Sequence, residues 1–203
     1  FFESNSNIVL IGSRLRDNNY NLSHAGILFN LLLRPYHFLQ GSVRYDHQVV
    51  TQSSYPVSAV TGALMLTKIE FLKYHRFNPN YSICGEDVEL CLDLREKFNK
   101  DIFYCHEFSA IHQAETTRSS DPLQYKTFHD NLLISKRYFR FIFKSNISHL
   151  RNELKYVQAK LSSYKTFKIY SFFELKNSKW DLTLSLFYLH LKFLKLIRKI
   201  FSI

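Results

Sequence analysis

The most informative segment of this chain is Gly85-Glu86-Asp87-Val88-Glu89-Leu90-Cys91. Apolar residues recur from its end at helical spacing, namely Leu90, Cys91, Leu94 and Phe98. This pattern predicts a helix that begins just after the glycine. A helix start has unpaired amide donors and the positive end of the helix dipole, which keep a carboxylate ionised and oriented. The two adjacent carboxylates therefore either cap the helix or, beside a cleft, accept a proton from a hydroxyl group.

The segments on either side of this helix follow a definite order. Upstream lie a predicted strand of small and apolar residues at 57–66, a short polar helix, and the sequence Arg76-Phe77-Asn78-Pro79-Asn80-Tyr81. Downstream lie a predicted strand at 102–105 and a strand-like run at 108–111, which His112 closes. The order and spacing of these segments are more specific than any one of them.

This succession resembles the second half of the family 2 glycosyltransferases with the GT-A fold, particularly the bacterial rhamnosyltransferase-like enzymes. In that family a strand reading V-x-G-A-x-(M/L)-(L/I) precedes the pattern F-(D/N)-x-x-(F/Y)-x-x-x-G-E-D, and a histidine follows one more strand. Residues 7–12, 17–19 and 23–26 are similar to a hairpin of the family, whereas residues 31–55 match nothing well and are predicted to be an acceptor-side insertion. The resemblance covers roughly residues 7–129. It implies an α/β fold made of the C-terminal half of a GT-A (nucleotide-diphospho-sugar transferase) sheet, followed by a basic helical tail.

The resemblance also implies an activity, the inverting transfer of a sugar from a nucleotide-sugar donor to a glycan or lipid-linked acceptor in cell-surface polysaccharide synthesis. Asp87 would be the general base for the acceptor hydroxyl, and Glu86 would accept a hydrogen bond from the acceptor sugar. Thr61 and Gly62 would line the floor, where a glycine lets the backbone approach the sugar closely. The alternative is a non-catalytic remnant, or an adaptor that binds glycan or membrane without turnover.

The leaving group of such a transfer is a diphosphate, which requires positive charge nearby. The resemblance implies that His112 is a metal ligand or contacts the diphosphate. Arg118, in the polar loop at 115–120, is a candidate to neutralise the diphosphate. Taken singly, a histidine at a strand end is more often bonded to backbone, and an isolated surface arginine is more often solvated. His24, in the hairpin, is more often structural.

Members of the family hold a divalent metal, Mg²⁺ or Mn²⁺, largely through an Asp-x-Asp motif in their nucleotide-binding half. This sequence contains no Asp-x-Asp, and its first predicted strand matches the element that follows that motif. We therefore expect the chain to be the C-terminal piece of a longer enzyme and to be inactive in isolation.

Charge is distributed unevenly along the chain. Residues 1–131 carry a net charge of −2, whereas residues 132–203 carry +12. The composition shifts near the same point, from mixed strand-and-turn sequence to aromatic, lysine-rich helical sequence. We therefore predict a partial catalytic domain on the acceptor side at 1–130 and a helical basic tail at 131–203.

The tail ends in a predicted helix at 182–203, in which one face carries evenly spaced lysines. Its uncharged stretch, 182–191, is far shorter than the ~20 residues that span a membrane. The helix therefore either lies in the membrane interface or covers the domain's own core. The first reading places a cytoplasmic protein at the inner face of the cell membrane. Nucleic acid is disfavoured as a partner, because no helix-turn-helix or glycine-rich signature accompanies the basic charge.

Overall fold

The computed structural model describes residues 2–29, 33–73, 75–112, 125–144, 153, 155 and 156, and these form seven strands and four helices. The strands are β1 (Ile8–Arg16), β2 (Leu22–His24), β3 (Ile27–Phe29), β4 (Pro35–His37), β5 (Tyr55–Val57), β6 (Met65–Thr67) and β7 (Asp101–Ile111). The helices are α1 (Gln48–Thr51), α2 (Ile69–Leu72), α3 (Glu86–Phe98) and α4 (Tyr125–Lys144). The predicted α/β class is confirmed, whereas its assignment as half of a GT-A sheet stays a prediction. Arg118 and the predicted helix at 182–203 lie outside the described residues.

Strand β1 is the centre of a five-stranded mixed sheet with the order β2-β1-β7-β5, in which β6 also pairs with β1. Strand β7 runs parallel to one edge of β1, and β6 and β2 pair antiparallel with the other edge. The predicted strands at 102–105 and 108–111 form the single strand β7. It contains a bulge, because Tyr104 lies opposite Gly12 while Ser109 lies opposite Arg14. Since β1 and β7 are parallel, the residues that follow them meet at one edge of the sheet.

The predicted hairpin near the N-terminus is confirmed. Strands β1 and β2 are antiparallel, and Leu15 lies opposite His24. The carboxylate of Asp17 holds the turn between them, since it accepts hydrogen bonds from the backbone amides of Asn19 and Asn21, each at 2.8 Å. This side-chain turn is the physical reason that an Asp-Asn-Asn sequence marks the end of β1.

The prediction of one continuous strand at 57–66 is wrong. Strand β5 ends at Val57 after pairing with β7, and strand β6 begins at Met65, where it pairs with β1. Because β5 pairs with β7 and β6 pairs with β1, the chain between β5 and β6 has to turn. Thr61 and Gly62 lie in this connection, which we call the 58–64 turn.

Helix α3 begins where the sequence predicts, directly after Gly85. The φ of Gly85 is 109°, a backbone conformation that residues with a side chain rarely adopt. A Cβ atom at this position would also overlap the side chain of Ile134 in α4. The helix ends at Phe98, and the next residue, Asn99, has the left-handed conformation that is a common helix C-terminal signal. The absence of a side chain at Gly85 therefore permits both its positive φ and the close approach of α4.

Helix α4 packs against α3 and runs through position 130, where the sequence predicts a domain boundary. Its buried face includes Ile134 and Tyr138, at the four-residue spacing of an amphipathic helix. The ring of Tyr138 stacks on Phe29, with centroids 3.6 Å apart. The segment at 131–144 is therefore part of the folded unit that contains α3. None of the helices in the described ranges is long and apolar enough to cross a membrane.

Two ion-pair clusters connect the C-terminal part of the chain to α3. At the surface, Arg137 binds Asp93 and Glu96 with N–O distances of 2.5 and 2.8 Å. In the interior, Arg95 binds Glu153 at 3.0 Å, and both side chains are buried. Removing one partner of a buried ion pair typically costs about 3–5 kcal/mol. Glu153, which falls in the predicted tail, is therefore a structural part of the core.

Candidate functional site

A cavity of about 300 Å³ lies at the edge of the sheet where β1 and β7 end. Its wall is formed by the 58–64 turn, the start of α3, the β3–β4 hairpin and the residue after β7. The structure brings together five of the six site residues that the sequence predicts: Thr61, Gly62, Glu86, Asp87 and His112. The sixth, Arg118, is outside the described residues. Three stretches that are distant in sequence therefore meet at one cavity.

Asp87 is the second residue of α3, and its carboxylate is half-buried against the 58–64 turn. Oδ2 accepts a hydrogen bond from the amide of Gly62 at 2.7 Å, and Oδ1 accepts one from the amide of Val88 at 2.7 Å. Burial raises the pKa of this carboxyl, while the hydrogen bonds from Gly62, Val88 and Thr61 oppose the change. The carboxylate is thus fixed in position and more basic than a solvated one. The same carboxylate also binds the Val88 amide in the first turn of α3. A role at the helix start and a role as a general base are therefore compatible.

Glu86 is half-buried and lies beside Asp87 at the cavity wall. Burial raises the pKa of its carboxyl, and the negative charges of Asp87 and Asp130 add to the effect. Neighbouring carboxylates disfavour each other's ionised form. A ligand hydroxyl that donates a hydrogen bond to Glu86 would replace part of the hydration that burial removes.

Gly62 brings backbone close to the carboxylate of Asp87. A Cβ atom at position 62 would lie 3.3 Å from the Cβ of Asp87 and 3.7 Å from its Oδ2. Any larger side chain would therefore crowd the carboxylate and fill part of the cavity. The hydroxyl of Thr61 accepts a hydrogen bond from the amide of Ala63 at 3.4 Å, and the Thr61 side chain also hydrogen-bonds to Asp87.

His112 directly follows β7, and its side chain lines the cavity. Its backbone amide donates to the carbonyl oxygen of Arg16 at 2.8 Å, which extends the pairing of β1 with β7. Within the described part of the chain, no three His, Cys, Asp or Glu side chains are placed to hold a metal ion. These residues alone do not fit a metal centre, so the role of His112 as a ligand stays a prediction that needs donors from elsewhere.

His24 and His37 also line the cavity, although the sequence indicated only a structural role for the first and none for the second. The Nδ1 atoms of the two rings are 3.0 Å apart. Nε2 of His24 accepts hydrogen bonds from the amides of Gly26 and Thr61 at 3.3 and 3.4 Å, so the ring proton lies on Nδ1. Burial lowers the pKa of His24 well below its usual range, and the rings of His37 and His112 add to this. His24 is therefore a neutral, buried imidazole.

The role of Asp130 in α4 was also missed from the sequence. Its fully buried carboxylate accepts hydrogen bonds from the amides of Ser82, Ile83 and Cys84 at 3.1, 2.7 and 3.1 Å. Although burial acts to raise it, these hydrogen bonds hold the pKa of Asp130 below its usual range. The loop that leads into α3 is thereby fixed. The available signal was its position, four residues before Ile134 on the buried face of the helix.

No protein-family model, no curated protein and no solved structure matches this chain. The residues of the site are therefore the basis on which function is inferred. They provide a basic carboxylate, a second carboxylate beside it, and imidazole rings around a cavity of about 300 Å³. This volume is at the lower end of the range found for small-molecule sites, and carboxylates and imidazoles are suited to bind hydroxyl groups and to move a proton.

Proposed function

We propose that this chain carries the acceptor side of an inverting glycosyltransferase, with Asp87 as the general base. The observation that carries the proposal is the position of the Asp87 carboxylate, held at the cavity wall by the Gly62 amide at 2.7 Å. A fixed oxygen needs little reorganisation to reach a substrate proton. Burial also raises the pKa of this carboxyl, and a base whose pKa lies closer to the working pH is a more effective proton acceptor.

The proposed reaction is a single displacement at the anomeric carbon of a nucleotide sugar. The acceptor hydroxyl oxygen attacks from the face opposite the diphosphate and forms a new C–O bond. The C–O bond to the diphosphate breaks, and its electron pair leaves with the diphosphate. The hydroxyl proton passes to Asp87. Attack from the opposite face inverts the anomeric configuration, which the product of the reaction should show.

The acceptor in this proposal is a glycan, either free or lipid-linked, that enters the cavity beside Glu86 and Gly62. Glu86 accepts a hydrogen bond from a second hydroxyl of the acceptor sugar. Gly62 lets the backbone approach the sugar ring closely, and it leaves Asp87 uncrowded, because a Cβ atom at position 62 would stand 3.3 Å from the Cβ of Asp87. If the predicted helix at 182–203 lies in the membrane interface, it brings the cavity to a lipid-linked acceptor at the inner face of the cell membrane.

The diphosphate side of the proposal rests on groups beyond the described residues. These are Arg118, an N-terminal half with an Asp-x-Asp motif, and a divalent metal, Mg²⁺ or Mn²⁺. A bound metal would stabilise the negative charge of the departing diphosphate. His112, which follows β7, would bind the metal or the diphosphate on this side of the cavity.

The test of this proposal is Asp87→Asn in the longer enzyme that the sequence predicts. Asparagine preserves the size of the side chain but cannot accept the proton. We expect kcat to fall by about 10²–10⁴-fold, the usual span for general acid–base catalysis, while the affinity for the nucleotide sugar stays near the wild-type value. The measurement is steady-state transfer kinetics together with donor binding by calorimetry.

Asp46→Asn is the matched control, because Asp46 is exposed, pairs only with Arg44 among the described residues at 3.3 Å, and does not line the cavity. It should retain the wild-type rate. A near wild-type kcat for Asp87→Asn would exclude Asp87 as the base. Glycan binding without any transfer by the longer protein would favour the non-catalytic adaptor.

A further inference from the structure

His24 is distant from Asp87 in the sequence but is connected to it through two successive hydrogen-bond contacts. It ends β2 and is 1% exposed, so it is a polar ring enclosed in the core beside the cavity. A polar side chain in such a place has to be hydrogen-bonded to avoid a large desolvation cost. The hydrogen-bond partners of the ring therefore indicate what it holds in place. Nε2 accepts the amides of Thr61 and Gly26, and Nδ1 contacts the ring of His37.

The first contact is made where backbone pairing stops. Ile27 and Ala59 exchange two backbone hydrogen bonds, at 2.8 and 3.1 Å, which align the start of β3 with the 58–64 turn. No backbone–backbone hydrogen bond among the described residues is made by the amide of Thr61, two residues further on. Nε2 of His24 accepts that amide at 3.4 Å. The imidazole thus adds one hydrogen bond that attaches the 58–64 turn to the end of β2, beyond the pairing of Ile27 with Ala59.

The second contact joins the turn to the candidate base. The amide of Gly62 donates to Oδ2 of Asp87 at 2.7 Å, and the side chain of Thr61 hydrogen-bonds to the same carboxyl. The donors belong to Thr61, whose amide the His24 ring accepts, and to Gly62, the next residue in the chain. The positions of these donors decide where the carboxylate points and how strongly it is hydrogen-bonded.

We propose that His24 is a positioning residue for Asp87: its neutral ring holds the Thr61 amide and thereby keeps the Thr61 and Gly62 donors on the Asp87 carboxylate. The inference rests on the proposed function of Asp87, and it adds a residue that contacts neither the acceptor nor the reacting atoms. The requirement is for an acceptor at the position of Nε2. The hydrogen bond from Nδ1–H to His37 orients the ring so that Nε2 faces the turn.

Substitution of His24 by glutamine or by asparagine tests the contacts of its two ring nitrogens separately. In His24→Gln, the side-chain oxygen reaches the position of Nε2 and can accept the Thr61 amide. In His24→Asn, the shorter side chain reaches only the position of Nδ1, so the contact with His37 can remain while the Thr61 amide loses its acceptor. The two substitutions are similar in polarity, and only His24→Gln keeps the acceptor at the position of Nε2 that the proposal requires.

The readout is the titration of Asp87, followed through its ¹³Cγ chemical shift in the whole 203-residue chain. Hydrogen bonds from Gly62 and Thr61 lower the pKa of Asp87 against the effect of burial. We therefore expect an upward shift of the Asp87 midpoint in His24→Asn and a midpoint close to wild type in His24→Gln. The other titratable side chains around the cavity are Tyr36, His37, Cys84, Glu86 and His112. Their resonances, where they titrate in this range, should be followed in the same spectra.

His106 provides the control, because its Nδ1 also bonds a single side chain, the hydroxyl of Ser54 at 2.9 Å, and it does not line the cavity. His106→Asn and His106→Gln should leave the Asp87 midpoint unchanged. An unchanged Asp87 midpoint in a folded His24→Asn protein would overturn the proposal, as would equal shifts in His24→Asn and His24→Gln.

A second measurement needs no substitution and applies even if the His24 variants fail to fold. Long-range ¹H–¹⁵N spectra distinguish the two neutral tautomers of a histidine ring. The proposal requires the Nδ1–H tautomer for His24, and an Nε2–H tautomer or an imidazolium near neutral pH would overturn it. Both measurements are independent of turnover. A longer enzyme without transfer activity, together with these results for the 203-residue chain, would reject the proposed function and keep the positioning role.

Discussion

Two aspartates on either side of one loop show opposite behaviour. Asp130 lies beneath residues 82–84, the loop that leads into α3, and accepts hydrogen bonds from three backbone amides. Asp87 lies just beyond the loop and accepts two. Burial acts on both carboxyls, yet the pKa of Asp130 is lowered and that of Asp87 is raised.

The difference shows how one residue type can serve two purposes within a short distance along the fold. In Asp130 the amide donors more than compensate for burial, so the ionised form is favoured and anchors the loop. In Asp87 the donors orient the carboxylate but only partly offset the effect of burial on its pKa, which leaves it a better proton acceptor. Asp130 binds the amides of the loop that it anchors, whereas Asp87 lines the cavity, and the opposite directions of their pKa shifts agree with this difference in position.

The largest effect on stability is expected for Gly85→Ala. Gly85 lies between the loop that Asp130 anchors and the start of α3, which carries Asp87. An alanine with φ near 109° pays for a left-handed conformation, and its Cβ would overlap Ile134. We expect a loss of about 2–4 kcal/mol in the free energy of unfolding, the sum of backbone strain and overpacking. Gly41→Ala is the control, because Gly41 also has a positive φ but no atom lies within 4 Å of its Cβ position. Equal losses at the two glycines would mean that the Ile134 contact is unimportant.

A smaller loss is expected for Asp130→Asn, which keeps an acceptor for the loop but removes the charge. Hydrogen bonds to a charged acceptor are roughly twice as strong as neutral ones, so we expect a loss of about 1–2 kcal/mol at neutral pH. The folded-state pKa of Asp130 lies below its ordinary value of 3.8. The charge therefore stabilises the fold above pH 3.8, and this stabilisation disappears as the pH falls through the folded-state pKa.

Urea unfolding of both proteins as a function of pH measures this dependence. The gap between wild type and Asp130→Asn should be constant at neutral pH and should close in acid. If the gap persists at the lowest pH at which both proteins fold, the contribution of Asp130 is steric and not electrostatic.

The smallest effect on stability is expected for Asp87→Asn. Because burial raises the pKa of Asp87, its ionised form is disfavoured by folding, and removing the charge relieves this cost at neutral pH. The asparagine can accept only one of the two amides that Asp87 accepts, which offsets the gain. We expect the free energy of unfolding to stay within about 1 kcal/mol of wild type. A loss greater than that of Asp130→Asn would make Asp87 a structural anchor like Asp130.

The sequence predicted those features of the site that local rules encode. The start of α3 follows from Gly85 and the apolar spacing after it, and the turn after β1 follows from Asp17 and its neighbours. The grouping of Thr61, Gly62, Glu86, Asp87 and His112 came from the order of motifs, and the structure places all five at one cavity.

The remaining features depend on partners that are distant in sequence. A run of apolar residues at 57–66 indicates burial but not which strand each end joins, so the turn at Thr61 was missed. The bond between His24 and the Thr61 amide depends on the pairing of Ile27 with Ala59, which sequence spacing does not reveal. Asp130 was detectable in principle, because a carboxylate on the buried face of an amphipathic helix requires donors from elsewhere in the fold.

The most direct test of the central claim is the titration of Asp87 and Asp130 in the same sample of the unmodified chain, followed through their ¹³Cγ shifts. We expect a midpoint above the ordinary value of 3.8 for Asp87 and below it for Asp130. A midpoint for Asp87 at or below 3.8 would contradict the account, because both aspartates would then be stabilised anions and neither would be a poised base.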